Sequence, residues 1–459
     1  MASSGILSGP IRRLIRLLLW IYFRHTEVEG VERVPESGPL LVAANHHNSL
    51  VDAMLLLAAF RRPLRVLAKD QLFGHPLIGP FLRGLGALPV RRRQEHGDDP
   101  GKNARLFQAT TAALRAGEAI LIFPEGRTQP EPVLLELRTG AARMLLEAEG
   151  EGMEPPVTLL PVGLVFENPG IFREGRALVQ IGRPVPTGDL LQAARMDSEG
   201  AARELTARLA AALKSLIVEA PDLETLRLLR LLASLGTPSS GRARLAQGLP
   251  WLQGASEGHR RLLAADPVRV DSFIERLRAF DRELEDLGLD TDPFLHRPRE
   301  GRVSLSALRD LLVLGLGAPL ALAGILLHGL PYQGTRAAVR WIPHTDEEEG
   351  TDKIAAGMVF YPLFWTLEVW GAHGVGGWAA AAALAALLLP SGFFALAWQE
   401  RSRRAGRTLR WLLHSVASRP RLERLRAERQ ALVAELEILT RLAFPEFAGR
   451  AAPPPGAPP

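Results

Sequence analysis

The chain has no cysteine among its 459 residues. It therefore has no disulfide, no thiol nucleophile and no thiolate ligand for a metal. Its histidines and acidic residues also lack the spacing of a metal site, so we expect chemistry without a metal or other cofactor. Aromatic residues make up only 6% of the sequence. They are not interleaved with basic residues as base-stacking platforms are, which argues against a nucleic-acid partner.

Negative charge is in slight deficit. The 50 acidic residues are outnumbered by 55 lysines and arginines, which gives a net charge of +5 and a pI near 10.0. Most of the basic residues are arginines that flank apolar segments, as expected of a protein that contacts anionic lipid headgroups. Membrane lipids are therefore the expected partners. The length also exceeds the roughly 250 to 300 residues that a single hydrophobic core reaches, which indicates more than one region.

The first block that suggests chemistry follows the apolar run from Pro39 to Ala44, which predicts a buried strand. This strand leads into Asn-His-His-Asn-Ser-Leu-Val-Asp at residues 45–52. The carboxylate of Asp52 can accept a hydrogen bond from one ring nitrogen of a histidine, leaving the other nitrogen free to take a proton from an alcohol. The block therefore predicts an oriented general base that needs no serine nucleophile.

Three further blocks lie downstream. Residues 86–93, Gly-Ala-Leu-Pro-Val-Arg-Arg-Arg, join a glycine and a short strand to a basic cluster, as a site for an anionic group requires. Residues 119–128, Ala-Ile-Leu-Ile-Phe-Pro-Glu-Gly-Arg-Thr, run another strand into a turn that carries a carboxylate and a guanidinium. Residues 159–166 form a further apolar strand. The four blocks together are specific, although each one alone is common.

In this order the blocks resemble the glycerolipid acyltransferase superfamily, which includes glycerol-3-phosphate and lysophosphatidate acyltransferases. The resemblance covers residues 25–190. It implies that a histidine and Asp52 deprotonate the acceptor hydroxyl, and that the strand at 159–166 borders the acyl-donor site. The donor that it implies is acyl-coenzyme A or acyl carrier protein, used as a co-substrate. The residues that it implies for binding the substrate phosphate are Gly86, Arg91, Glu125, Gly126 and Arg127.

The double histidine allows two registers for the base. The family most often has four residues between histidine and aspartate, which fits His47 and Asp52. His46 leaves five, the spacing of a subgroup similar to the fungal dual-substrate glycerol-3-phosphate and dihydroxyacetone-phosphate acyltransferases. The stretch looks closest to that subgroup, which favours His46, and both histidines stay candidates. For the phosphate, Arg91 is the first choice because a guanidinium can bind phosphate through two parallel hydrogen bonds.

The expected fold class is α/β, with an acyltransferase domain built on a mixed sheet flanked by helices, followed by a mostly helical region with membrane-embedded segments. Strands are expected near 39–44, 64–68, 86–90, 119–123, 158–166 and 176–181, and helices over 102–116 and 136–149. The expected divisions are an interfacial membrane helix at 1–25, the catalytic domain at 26–190, a helical region at 191–300, transmembrane or re-entrant helices at 301–400, a soluble helix or coiled coil at 401–445 and a disordered tail at 446–459. The alternative for the first helix is docking on its own domain.

Three long apolar stretches predict an integral membrane protein. They are Leu308–Leu330, Ala355–Trp370 and Trp378–Trp398, with a solvated connector expected from Tyr332 to Lys353. Arginines precede the first stretch and follow the last. If both basic ends are cytoplasmic, the number of crossings is even, so one stretch is re-entrant. We expect the catalytic domain on the cytoplasmic face.

These features together predict a membrane-bound O-acyltransferase of phospholipid synthesis whose acceptor is glycerol 3-phosphate or 1-acylglycerol 3-phosphate. One alternative is acylation of another lysophospholipid, and a second is a catalytically idle lipid-binding scaffold of the same fold. The pattern Gly254-Ala255-Ser256-Glu257-Gly258 also matches that of serine hydrolases, but no strand leads into it. We therefore expect a loop between helices there.

Overall fold

The structure is a computed structural model, and it describes residues 8–23, 25–74, 78–90, 100–150, 152–167, 175–236, 245–287, 300–341, 349–417 and 419–445. Among these residues, those within 1–223, 244–249 and 344–355 form one compact unit, and those within 224–243, 250–343 and 356–459 form a second. The first unit holds all of the described β-structure. The second is helical.

The first unit is built on a seven-stranded sheet with the order β1-β7-β6-β2-β5-β3-β4. All neighbours are parallel except β6 and β7, which pair antiparallel. The sheet is therefore mixed, as expected. The strands are His25–Glu29 (β1), Leu40–Ala44 (β2), Leu64–Lys69 (β3), Leu88–Val90 (β4), Ala119–Ile122 (β5), Thr158–Glu167 (β6) and Arg176–Ile181 (β7). Strand β1 was not predicted, because its sequence His-Thr-Glu-Val-Glu has a single aliphatic residue, Val28, and it lies at the sheet edge.

Helices cover both faces of the sheet, because the central strands are apolar at consecutive positions. Leu40 and Val42 of β2 face one hydrophobic core, and Leu41 and Ala43 face the other. The first core is closed by α1 (Ser8–Tyr22), α2 (Leu50–Ala59) and the helix Ile78–Gly84; the second is closed by the helices Pro100–Arg115, Gly140–Glu149 and Ser198–Lys214. A further helix, Gly188–Ala193, precedes the last of these. The domain is thus a three-layer α/β/α sandwich.

The first helix, α1, divides its apolar residues between two sides. Ile15, Leu19 and Tyr22 are buried in the core beside α2. Leu17 and Trp20 are exposed, at 42% and 53%. The helix is therefore docked on its own domain, which was the alternative, and its other side carries exposed apolar side chains. The interfacial role stays a prediction.

The second unit consists of long helices. Its helices are Leu223–Gly236, Leu245–Ala265, Pro267–Asp286, Glu300–Trp341, Glu349–Ala417 and Arg419–Ala443. Three of them, those that begin at Leu223, Leu245 and Glu349, start in the first unit. Two of them are long and apolar enough to cross a membrane, through Leu312–Trp341 and Asp352–Arg403. The second is interrupted at Gly376 and Gly377, where Gly377 has φ 67°. Each arm, 352–375 and 378–403, exceeds the roughly 20 residues that a crossing needs.

The expected fold class is confirmed by this architecture, with two corrections to its details. Residues 332–341 and 349–353, expected in the connector, are helical, because one helix continues to Trp341 and the next begins at Glu349; residues 342–348 lie outside the described residues. The pattern at 254–258 is not a loop, since it lies inside the helix Leu245–Ala265. There Glu257 pairs with Arg261 of the next turn. A serine within a helix lacks the exposed strand-to-helix turn of a nucleophile elbow.

Candidate active site

Two neighbouring parallel strands deliver the candidate residues to one edge of the sheet. β2 ends at Ala44 and leads to His46, and β5 ends at Ile122 and leads to Glu125. Their register pairs Ala43 with Ile122, so both strands finish at the same level. The carboxyl edge of a parallel sheet is the usual place for a functional site in such folds.

The His46 ring and Asp52 form a hydrogen-bonded pair. The distance from His46 Nδ1 to Asp52 Oδ2 is 2.8 Å. The side chain of Asp52 is fully buried, and only 13% of the His46 side chain is exposed. When the Nδ1–H of His46 donates this hydrogen bond to the Asp52 carboxylate, the lone pair on Nε2 stays available. The ring also stacks on Phe123, with centroids 4.0 Å apart and planes at 12°, so its orientation is held from two sides.

Asp52 also holds the turn that carries the histidines. Its Oδ2 accepts hydrogen bonds from the backbone N–H of His47 at 2.7 Å and of Asn48 at 2.8 Å. These amides precede α2, and Asp52 lies in the first turn of that helix. The turn requires Ser49 at φ 47°, the only positive φ of a non-glycine residue in the described part of the chain. Strained backbone of this kind is typical of functional sites.

His47 has a different environment. Its Nδ1 lies 3.1 Å from the backbone carbonyl oxygen of Gln129. Burial lowers the pKa of His47, although the charge of Asp52 opposes the shift, so the ring is neutral and Nδ1 donates to that carbonyl. Only its backbone amide, not its ring, contacts Asp52. Of the two registers, the one with five intervening residues therefore brings the ring and the carboxylate together.

Glu125 connects the second strand end to the first. Its Oε1 accepts the backbone N–H of His46 at 2.8 Å, and its Oε2 accepts that of Leu135 at 3.0 Å. The side chain is buried, and burial raises its pKa to about 7, although the two amide hydrogen bonds oppose this. Glu125 thus positions the His46 backbone and the loop that follows the Phe-Pro-Glu-Gly turn.

The other candidate phosphate ligands are distributed unevenly. Gly126, at φ 71°, forms the turn after Glu125, and Arg127 follows it with an exposed side chain. Gly86 lies elsewhere, since its carbonyl accepts a hydrogen bond from Arg65, which pairs with Glu118 just before β5 begins. That is the end of the sheet where β3 and β5 start, whereas His46 follows the end where β2 finishes. Arg91 lies outside the described residues.

Three residues that support the site were missed by the sequence analysis. Asn45 is fully buried, and its side chain bonds both the N–H and the C=O of Leu164 in β6, at 2.6 and 3.0 Å. The backbone N–H of Gln129 donates to the His46 carbonyl at 3.3 Å. Arg138 lies against Gly126. Only Asn45 had a local signal, its place directly before the histidines; the others meet the site through the fold.

Comparisons with known proteins agree with this geometry. The model of the acyltransferase family matches residues 25–165. An uncharacterized acyltransferase of Schizosaccharomyces pombe is 24% identical over 362 residues, which are 60% of this chain and 53% of that protein. The chloroplastic 1-acyl-sn-glycerol-3-phosphate acyltransferase LPAT1 of Arabidopsis thaliana is 26% identical over 165 residues, 36% of this chain and 44% of that protein.

A third relative has a different stated acceptor. Glycerol-3-phosphate O-acyltransferase 2 of Saccharomyces cerevisiae is 28% identical over 193 residues, which are 41% of this chain and 25% of that protein. The chain therefore spans about half the length of these relatives or less. The matches include the segment that carries both histidines, Asp52 and Glu125.

Proposed function

Because residues 25–165 form a domain of the glycerolipid acyltransferase superfamily, we propose that the chain is a membrane-bound O-acyltransferase. It transfers a fatty acyl group from a thioester to a hydroxyl of glycerol 3-phosphate or of 1-acylglycerol 3-phosphate. The relatives support this acceptor class, since their names specify these two compounds. The donor is acyl-coenzyme A or acyl carrier protein, and the reaction serves phospholipid synthesis.

The observation that carries the proposal is the His46–Asp52 pair at the carboxyl edge of the sheet. His46 Nε2 takes the proton from the acceptor hydroxyl as its oxygen attacks the thioester carbonyl. The carbon–sulfur bond then breaks. The imidazolium gives its proton to the departing thiolate, which leaves as the free thiol. Asp52 stabilises the imidazolium formed on the way. A positioned base of this kind contributes about 100- to 10,000-fold in rate.

The active site requires no serine or cysteine nucleophile, because a thioester is already activated toward an alcohol. Most of the remaining acceleration comes from placement of the two substrates, which can supply on the order of 7 to 11 kcal/mol. A base with fixed tautomer and ring plane meets this need. Stacking on Phe123 and the hydrogen bond to Asp52 provide both constraints.

Membrane integration is part of the proposal. The two apolar helices support insertion into a bilayer, and the exposed Leu17 and Trp20 of α1 support contact of the catalytic domain with a bilayer surface. The domain then faces the cytoplasm, where both proposed donors and a water-soluble acceptor are available. A lipid acceptor reaches the site from the bilayer.

The test is acyl transfer by detergent-purified full-length protein from labelled acyl-coenzyme A or acyl carrier protein, to glycerol 3-phosphate and to lysophosphatidate in separate reactions. We expect product with one of these acceptors, a loss of at least about 100-fold in kcat for His46→Ala and a similar loss for Asp52→Asn. His47→Ala keeps Asp52 and the His46 ring in place, so its loss is expected to be much smaller.

The outcomes separate the alternatives. A loss in His47→Ala alone would assign the base to the other histidine. If wild type acylates neither acceptor with either donor, a lysophospholipid with a larger headgroup is the next acceptor to test. Inactivity with that acceptor as well would identify the domain as an idle lipid-binding fold.

A further inference from the structure

Arg138 lies at the Phe-Pro-Glu-Gly turn although twelve residues separate it from Glu125 in the chain. Its backbone N–H donates to the Pro124 carbonyl at 2.8 Å. Its side chain runs across Gly126, where a Cβ atom would lie 2.8 Å from the Arg138 Nε and 3.0 Å from its Cδ. Glycine at 126 suits the φ of 71°, and without a Cβ it leaves this space to the Arg138 side chain.

The Arg138 side chain is exposed, and no acidic side chain in the described ranges pairs with it. Arg65 and Arg176 of the same domain, by contrast, are paired, with Glu118 at 2.7 Å and with Glu27 at 3.1 Å. A guanidinium with free donors, held against a glycine of the active-site turn, is suited to bind an anion from solution. Its position is fixed by the turn and not by a partner carboxylate.

Arg138 is connected to the reacting group through the same turn. Gly126, which it covers, follows Glu125, and Glu125 accepts the backbone N–H of His46 at 2.8 Å. A phosphorylated three-carbon acceptor has its hydroxyl and its phosphate only a few bonds apart. When that hydroxyl meets His46, its phosphate therefore lies within reach of the neighbouring turn. Glu125 cannot bind the phosphate there, because both of its oxygens face backbone amides and it carries no positive charge.

We propose that Arg138 binds the phosphate of the acceptor. The inference rests on the proposed function and deepens it, since it adds a specificity-determining residue that the motif blocks did not include. The shared chemistry is a phosphate monoester on a glycerol carbon, whether free or carrying one acyl chain.

The first test is binding, which needs no turnover. Glycerol 3-phosphate is titrated into detergent-purified full-length protein by calorimetry, with glycerol as the unphosphorylated comparison. We expect Arg138→Gln to raise Kd for glycerol 3-phosphate about 10- to 100-fold, because a charged hydrogen bond is lost. Arg138→Lys keeps the charge and is expected to lose less. The matched control is Arg143→Gln, an exposed arginine that lies 3.7 Å from Glu199 and is expected to bind like wild type.

The second test is turnover with both acceptors. In Arg138→Gln the KM for glycerol 3-phosphate or lysophosphatidate rises, kcat changes little and the KM for acyl-coenzyme A is unchanged. The acceptor that shows the rise identifies the source of the phosphate. A rise confined to the donor would assign Arg138 to the phosphates of coenzyme A and overturn the proposal, as would wild-type Kd values in Arg138→Gln. Arg138-dependent binding without any turnover would instead leave this inference standing and reject the proposed function.

Discussion

At the scale of single residues, the site depends on one oxygen. Asp52 Oδ2 accepts hydrogen bonds from the His46 ring and from two backbone amides of the turn. One carboxylate therefore orients the ring and holds the backbone that presents it. This double role explains how a five-residue spacing places the ring on Asp52, while the four-residue spacing leaves only the His47 amide there.

Glu125 has a pH-dependent role that can be measured. Its pKa is raised from 4.5 to about 7, chiefly by burial. The folded state therefore binds the proton more tightly than the unfolded state, so this stabilisation is present below pH 4.5 and is lost as pH rises through about 7. We expect the melting temperature of wild type to fall over this window and Glu125→Gln to flatten that slope. Thermal unfolding of the full chain in detergent at several pH values measures it.

The exposed Glu136 provides the control for this experiment. Glu136→Gln is expected to keep the wild-type slope. Glu125→Gln also turns one of its two acceptors into a donor that faces a backbone N–H, so activity falls as His46 loosens. An unchanged slope in Glu125→Gln would show that this carboxyl does not titrate in that range.

At the scale of elements, Asn45 decides where β2 ends. The β2–β6 pairing reaches Ala44 and Val162, and the Asn45 side chain then takes over by bonding both backbone groups of Leu164. The backbone of residue 45 is thereby released to turn toward His46. A side chain that imitates a strand neighbour ends the strand without leaving buried polar groups unpaired.

The prediction for this element compares two substitutions. Asn45→Asp has nearly the same shape but places a carboxylate oxygen against the Leu164 carbonyl in a fully buried site. We expect it to cost at least as much stability as Asn45→Ala, on the order of 1 to 3 kcal/mol or more. Hydrogen exchange of peptides from β2 and β6 in the full chain is the measurement. Slower hydrogen exchange in Asn45→Asp than in Asn45→Ala would mean that the shape of the side chain contributes more to stability than its amide group.

At the scale of the whole molecule, the second unit holds its apolar segments together through His328. On the helix Glu300–Trp341, its Nδ1 accepts from Trp365 Nε1 at 3.2 Å and its Nε2 lies 3.0 Å from the Leu388 carbonyl. Trp365 and Leu388 lie on opposite sides of the break at Gly376–Gly377. One neutral ring therefore links both arms to the neighbouring helix, and Gly392 leaves space for it.

We expect His328→Leu to lower the stability of this unit by roughly 1 to 2 kcal/mol, since interhelical hydrogen bonds in apolar surroundings have about this strength. His373 is the comparison residue: its ring lies 4.3 Å from that of Trp378 across the same break, at 41°, and within the described residues its buried Nδ1 makes no hydrogen bond. Thermal unfolding followed by tryptophan fluorescence compares His328→Leu with His373→Leu. Equal shifts would argue that the linkage contributes nothing beyond ring packing.

The sequence by itself determined the positions of the strands after β1 along the chain, the mixed α/β class, the apolar segments and most of the residues near the base. These follow from local patterns, because apolar periodicity and turn chemistry act over a few residues. Six of the seven strands were predicted in this way. The pair of histidines was visible as well, together with Asp52 and Glu125.

Only the tertiary structure decided which histidine ring meets Asp52, since that depends on a strained turn at Ser49 and on Phe123 from another strand. The same holds for the position of Gly86, whose carbonyl accepts a hydrogen bond from Arg65 near the start of β3. Arg138 and Gln129 reach the turns through a loop whose course no local propensity specifies. Contacts between distant residues depend on strand register and side-chain orientation, which the whole packed domain sets.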